Sequence, residues 1–187
     1  MKVAFIGTHG VGKTTLCYEI AARLKRRNVD VELVREIART CPLAINQDTT
    51  LEAQAWILHT QIAAEIAASN ANDVVIADRS ALDNYCYLVH ATGGSRMWET
   101  VLDRWMPTYD LLVHVPMWSR PSYDGVRAVD PRFQSEINDL LEGMIAARGL
   151  KPLRLPAAAP ASWGARVEQA LLPTVEPNLP LFDDGRD

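Results

Sequence analysis

The opening stretch, Met1 to Thr15, constrains this chain more than any other. Lys2-Val3-Ala4-Phe5-Ile6 is a short apolar run of the kind that forms a buried strand, and it leads straight into Gly7-Thr8-His9-Gly10-Val11-Gly12-Lys13-Thr14. That stretch fits G-x-x-x-x-G-K-[ST], the phosphate-binding P-loop. Past Thr15 the apolar period changes, and Leu16, Cys17, Ile20, Ala21 and Leu24 share one helical face. Strand, glycine loop and helix thus follow in the order the motif requires. Glycines let successive N–H groups turn inward as an anion nest, and the helix N-terminus adds partial positive charge. Lys13 is expected to reach the β- and γ-phosphates of a nucleoside triphosphate, and the Thr14 hydroxyl to ligate Mg²⁺. Thr8, His9, Gly10, Val11, Gly12, Lys13, Thr14 and Thr15 are the predicted nucleotide-binding residues. His9 fills a permissive position and carries no assigned chemistry.

Beyond the loop, strand and helix patterns alternate. Val29 to Val34 reads as a second strand, with Arg35-Glu36 at its carboxyl end. Thr49 or Thr50 caps a helix from about Leu51 to Ser69, whose buried side is marked by Leu51, Ala55, Leu58, Ile62 and Ile66. Val74-Val75-Ile76-Ala77-Asp78 is an apolar strand ending in a carboxylate, as suits a strand covered on both faces. Helices follow over Leu82 to His90 and Met97 to Met106, then a strand at Leu111 to Val115. A polar, proline-bounded connection at about 116–132 carries Arg120, Arg127 and Arg132. A helix over Phe133 to Ala147, a short strand at Leu153 to Leu155 and a helix over Trp163 to Leu172 complete the order. This alternation predicts an α/β P-loop NTPase fold: a three-layer sandwich whose five-stranded parallel sheet is covered by helices on both faces. One domain is expected over residues 1–172, with a flexible tail over 173–187.

Composition narrows the class. The chain has 187 residues, enough for a sizeable core. Its apolar runs are too short to span a bilayer, and the first one is consumed by the P-loop strand, so neither a membrane segment nor a signal peptide is expected. Cys17, Cys41 and Cys86 are odd in number and lack C-x-x-C spacing, which argues against a disulfide framework and a zinc site. A cytoplasmic location is expected. The net charge of −4 does not favour a polyanionic partner. Lys25-Arg26-Arg27, the one tight basic run, ends the first helix, where cations complement the dipole.

Ligands of parallel sheets bind beyond the strand carboxyl ends. That rim gathers the P-loop, Arg35-Glu36, Asp78-Arg79 and the 116–132 connection. Asp78 is a candidate to hold the metal, directly or through water; a helix N-cap is the structural alternative. Arg79 is a candidate phosphate contact or a structural arginine. Glu36 can accept the proton of an attacking hydroxyl, with Arg35 and Arg39 beside it, or belong to an ordinary ion-pair cluster; Asp78 is the other candidate for that base. Arg120, Arg127 and Arg132 suit a phosphate-neutralising lid or a solvated loop. Trp118, next to that connection, is the tryptophan best placed to stack on a ring.

These pieces resemble the small P-loop kinases of nucleosides and nucleotides. Asp78-Arg79-Ser80 is similar to the D/E-R-S signature of deoxynucleoside and thymidylate kinases, which implies an acid near the metal and an arginine on phosphates. Glu36 matches the position of the catalytic carboxylate in nucleoside kinases. The P-loop, Val34-Arg35-Glu36-Ile37-Ala38-Arg39, Asp78-Arg79 and Tyr123-Asp124-Gly125-Val126-Arg127 resemble the nicotinamide riboside kinase domain and its AAA-type ATP-binding relatives. In that group the D-G-x-R segment lies in the lid. The resemblance spans about residues 1–150 and implies Lys13, Glu36, Asp78, Arg79 and Arg127 as the catalytic set, with ATP and Mg²⁺ as cofactors. The tryptophan that usually lies close before D-G-x-R is farther away here, as Trp118.

A GTPase would need an N-K-x-D motif, and none of Lys2, Lys13, Lys25 and Lys151 follows an asparagine. The expected activity is γ-phosphoryl transfer from MgATP to a hydroxyl on a nucleoside-like small molecule. A nucleoside monophosphate comes second as acceptor, and a hydroxyl of a polynucleotide or modified base in DNA third. A regulatory ATP-binding module is the non-enzymatic alternative. The sequence leaves the oligomeric state open, a homodimer included.

Overall fold

The computed structural model describes residues 1–118 and 130–175. Five parallel strands form one sheet in the order β2-β3-β1-β4-β5: β1 (Lys2–Ile6), β2 (Val31–Val34), β3 (Val74–Asp78), β4 (Leu111–His114) and β5 (Leu153–Arg154). The period of two along each strand divides the core. Val3, Phe5, Val74, Ile76 and Val113 face α1 (Lys13–Arg26) and α6 (Trp163–Val175), meeting Leu16, Ile20, Leu24 and Val167. Ala4, Ile6, Val75 and Ala77 face the other way, toward α2 (Leu51–Ala71), α3 (Ala81–Thr92), α4 (Arg96–Trp105) and α5 (Pro131–Ala147). The result is the expected three-layer α/β architecture. Among the described residues no helix is long and apolar enough to cross a membrane.

Register places the site. Phe5 pairs with Asp78, so the P-loop leaves β1 beside the carboxyl end of β3. The strand order reverses at this point, where open α/β sheets leave a crevice.

Three expectations need correction. The buried face of α2 is not the all-apolar stripe. Leu51 and Ile66 are 45% and 55% exposed, whereas Gln54, Gln61 and Glu65 are buried beside Ile57 and Leu58. Gln61 and Glu65 find partners on other elements, and Gln54 donates to Thr49 just ahead of the helix at 2.9 Å, so burial of Gln61 and Glu65 follows hydrogen bonding rather than hydrophobicity. Arg132 is not in the connection but in the first turn of α5. Pro131 stands where a missing N–H costs nothing, and Asp130 caps the helix by accepting from the Arg132 N–H at 2.9 Å. Finally, α6 continues through Pro173 to Val175, into the stretch expected to be tail. Arg120, Tyr123, Asp124, Gly125, Arg127 and residues 176–187 lie outside the described residues.

Candidate active site

The P-loop takes its shape from its glycines. A Cβ on Gly7 would lie 2.5 Å from the Val115 carbonyl oxygen, so the close approach of the loop to β4 admits no side chain. Gly12 has φ +99°, which suits glycine, and it starts α1 with no side-chain cap. The first N–H groups of α1 are thereby left for a ligand. Lys13 folds back over the loop, donating to the Gly7 and Thr8 carbonyls at 2.6 Å each. Burial, reinforced by Arg79, lowers its ammonium pKa to about 8 against the pull of Asp83, Asp78 and Glu36.

Asp78 closes the other wall. Its Oδ2 accepts from the Thr14 hydroxyl at 2.6 Å. Burial holds its carboxyl above the usual carboxylate range, opposed by Lys13 and by the Thr14 bond. A hydroxyl and a carboxylate converging at the loop are hard oxygen donors of the type Mg²⁺ takes. Asp78 is not the cap of α3. Ser80 is: its hydroxyl accepts from the Leu82 and Asp83 N–H groups, and Asp83 Oδ2 accepts in return from the Ser80 N–H at 2.9 Å.

Glu36, just past β2, is held by arginines. Its Oε1 accepts from Arg79 Nε at 2.7 Å and its Oε2 from Arg39 Nε at 2.8 Å. Burial pushes the carboxyl up, but Arg79 and Lys13, with the bonds from Arg79 and Arg39, bring it down to about 2. Arg35 is exposed and is not among its partners. Arg79 is buried with its guanidinium 4.9 Å from the Tyr87 ring centre. Its φ of +91° is rare for a residue with a side chain and costs on the order of 1–3 kcal/mol.

Beyond Glu36 lies a pocket of about 510 Å³, counting space open to solvent, walled by Ile45, Ile57, Tyr87 and Ala38. Gln54 Oε1, Asn84 Nδ2 and Arg79 Nη1 are buried, line this pocket and have no hydrogen-bond partner among the described residues. Glu36 and Arg79 line both this pocket and the P-loop groove of Gly10, Gly12, Lys13, Thr14 and Asp78. Two cavities therefore meet at one ion pair.

Residues 2–166 match the family model described as an AAA domain. The chain belongs to the AAA domain family. No curated protein matches it. Among solved structures it is similar to a deoxyadenosine kinase from M. mycoides. In the form with dCMP and a flexible dCDP, identity is 17% and the TM-score 0.63, over 94% of this chain and 100% of that one. In the form with bound dATP, identity is again 17% and the TM-score 0.65, over 91% and 98%. At that identity the likeness speaks for the fold: that of a P-loop nucleoside or nucleotide kinase.

Within this AAA domain chain the sequence-predicted residues Lys13, Thr14, Glu36, Asp78 and Arg79 meet at one rim. Trp118 lies against the loop instead of the pocket, donating to the Val11 carbonyl at 2.9 Å and meeting Trp163 edge-on at 5.8 Å. His9 is buried, its Nδ1 3.0 Å from the Tyr87 hydroxyl, and it lines the pocket. Three contributors were not singled out from the sequence. Asp83 accepts from the Gly7 N–H at 2.9 Å as well as from Ser80, joining P-loop to α3. Its signal was available, because Ser80-x-x-Asp83 has capping-box spacing. Gln54 and Asn84 are polar residues on the inner faces of helices, and no sequence pattern separates them from solvated ones.

Proposed function

We propose that the chain is an ATP-dependent phosphotransferase that passes the γ-phosphoryl group to a hydroxyl of a nucleoside-like small molecule. The observation that carries this reading is the Glu36–Arg79 pair shared by the phosphate groove and the pocket. A transfer site needs donor and acceptor volumes joined at a carboxylate and a cation; a binding module needs only the first. The unpartnered Gln54 and Asn84 amide atoms favour an acceptor with a polar, planar edge, because buried polar groups seek partners.

The chemistry follows from the side chains. The loop N–H groups and Lys13 stabilise charge spread over the transferred group. Thr14 and Asp78 would hold Mg²⁺, which when bound neutralises phosphate charge. Glu36 is a weak base at rest, so its task is chiefly to orient the hydroxyl, exchanging the Arg39 bond for one from the acceptor. In a loose, metaphosphate-like transition state the bond to ADP is largely broken before the new O–P bond forms, so the hydroxyl gives up its proton late, to Glu36, and positioning supplies much of what the nucleophile requires. Arg79 stays on the phosphoryl side of the carboxylate. Arg127 is proposed to complete the charge from the connection.

A nucleoside monophosphate remains the second acceptor class, since Arg39 is exposed at the pocket and can meet a phosphate. Labelled ATP offered with nucleosides, nucleoside monophosphates and oligonucleotides tests the reading. Labelled nucleoside is expected, lost in Lys13→Ala with the fold intact. Turnover of none of the three classes would favour a regulatory module.

A further inference from the structure

Gln61 and Glu65 are fully buried on α2, more than a turn beyond the pocket-lining Gln54 and Ile57. Glu65 accepts from four side chains. Gln61 Nε2 and the Tyr109 hydroxyl reach its Oε1 at 2.8 Å each; Lys2 Nζ and Trp105 Nε1 reach its Oε2 at 2.9 and 2.8 Å. Lys2 also lies 4.2 Å from the Trp105 ring centre and 4.5 Å from that of Tyr109. A buried ion pair contributes little net stability, so this one calls for another reason.

Its outputs supply the reason. Gln61 Nε2 also donates to the Arg79 carbonyl at 3.3 Å, and the Tyr109 hydroxyl accepts from the Ala81 N–H at 2.9 Å. These two backbone groups flank Ser80 and bracket the turn in which Arg79 holds its positive φ. Acceptors on both sides of the Gln61 nitrogen fix the orientation of that amide. Strained backbone persists only where its surroundings over-determine it, and here both brackets end on one carboxylate.

We propose that Glu65 is a positioning residue for the transfer site: through Gln61 and Tyr109 it holds the strained Arg79 turn and thereby aims the Arg79 guanidinium at Glu36. This rests on the phosphotransfer reading above. Glu65 itself is a poor test, because its removal strands buried Lys2. Gln61→Met keeps the volume and loses the donor; Tyr109→Phe keeps the ring and loses the hydroxyl. Each variant is measured for kcat, KM for ATP, thermal unfolding, and the NMR signal and hydrogen exchange of Arg79 Nε–H. That last readout needs no activity. The proposal expects the Arg79 Nε–H signal to shift and exchange faster in both variants. It also expects kcat, measured well below the unfolding temperature, to fall roughly tenfold or more, as misaimed groups do, with KM for ATP little changed and the unfolding temperature lowered by a few degrees as buried groups lose partners. An unmoved Arg79 signal overturns it, whether kcat is kept or falls only in step with stability. A moved signal in a chain that transfers no phosphate keeps the clamp and sinks the kinase reading.

Discussion

Lys13 sits where its own charge is disfavoured. Its pKa, lowered to about 8 chiefly by burial, must rise when a triphosphate arrives. Binding therefore takes up a proton above that pH. ATP affinity should be level below about pH 7 and fall as pH climbs through 8, by up to about tenfold per unit. Titration calorimetry in buffers of different ionisation heat checks both the slope and the proton uptake. Glu36 has the opposite sign. Its carboxyl falls from 4.5 to about 2 on folding, so its contribution is complete above 4.5 and lost as pH drops toward 2. The magnitude is on the order of 3 kcal/mol at neutral pH. Urea unfolding of wild type and Glu36→Gln should differ most near pH 7 and converge in acid. These two residues were legible as candidates because the P-loop spacing and the strand-end position named them. Their electrostatic states were not, since the Arg79–Glu36 bond joins residues 43 apart in sequence.

The elements were legible in proportion to their periodicity. β1 and β3 have the expected bounds, and α1, α3, α5 and α6 differ only at their ends. On α2 the apolar stripe misleads, because Leu51 and Ile66 are exposed while Gln61 and Glu65 are buried. A helix that buries polar side chains against partners on distant strands and helices cannot advertise that face in its own sequence. The consequence is measurable: Leu58→Ala should cost roughly 2–5 kcal/mol, and Ile66→Ser within about 0.5 kcal/mol, by denaturant unfolding. The start of α3 carries a second prediction. Ser80 caps it and Asp83 ties that cap to Gly7. Ser80→Ala should lose about 1 kcal/mol of stability. ATP should bind nearly as well, because the Gly7 N–H keeps its Asp83 acceptor.

At the scale of the whole molecule, the alternation of elements fixes a parallel sheet, and the reversal of strand order at β1 puts the P-loop between β3 and β4. That much follows from the chain pattern. The pocket beyond Glu36 does not, since Gln54, Asn84 and Tyr87 come together only when α2 and α3 pack side by side on the sheet. Glu36 is proposed to join a donor groove to an acceptor pocket. The most direct test of that role is transfer of labelled γ-phosphoryl from ATP to a nucleoside by Glu36→Gln, with ATP binding measured in parallel. The expected result is a fall in kcat of about a hundredfold or more, with ATP affinity within about twofold of wild type. Wild-type kcat in Glu36→Gln would contradict it.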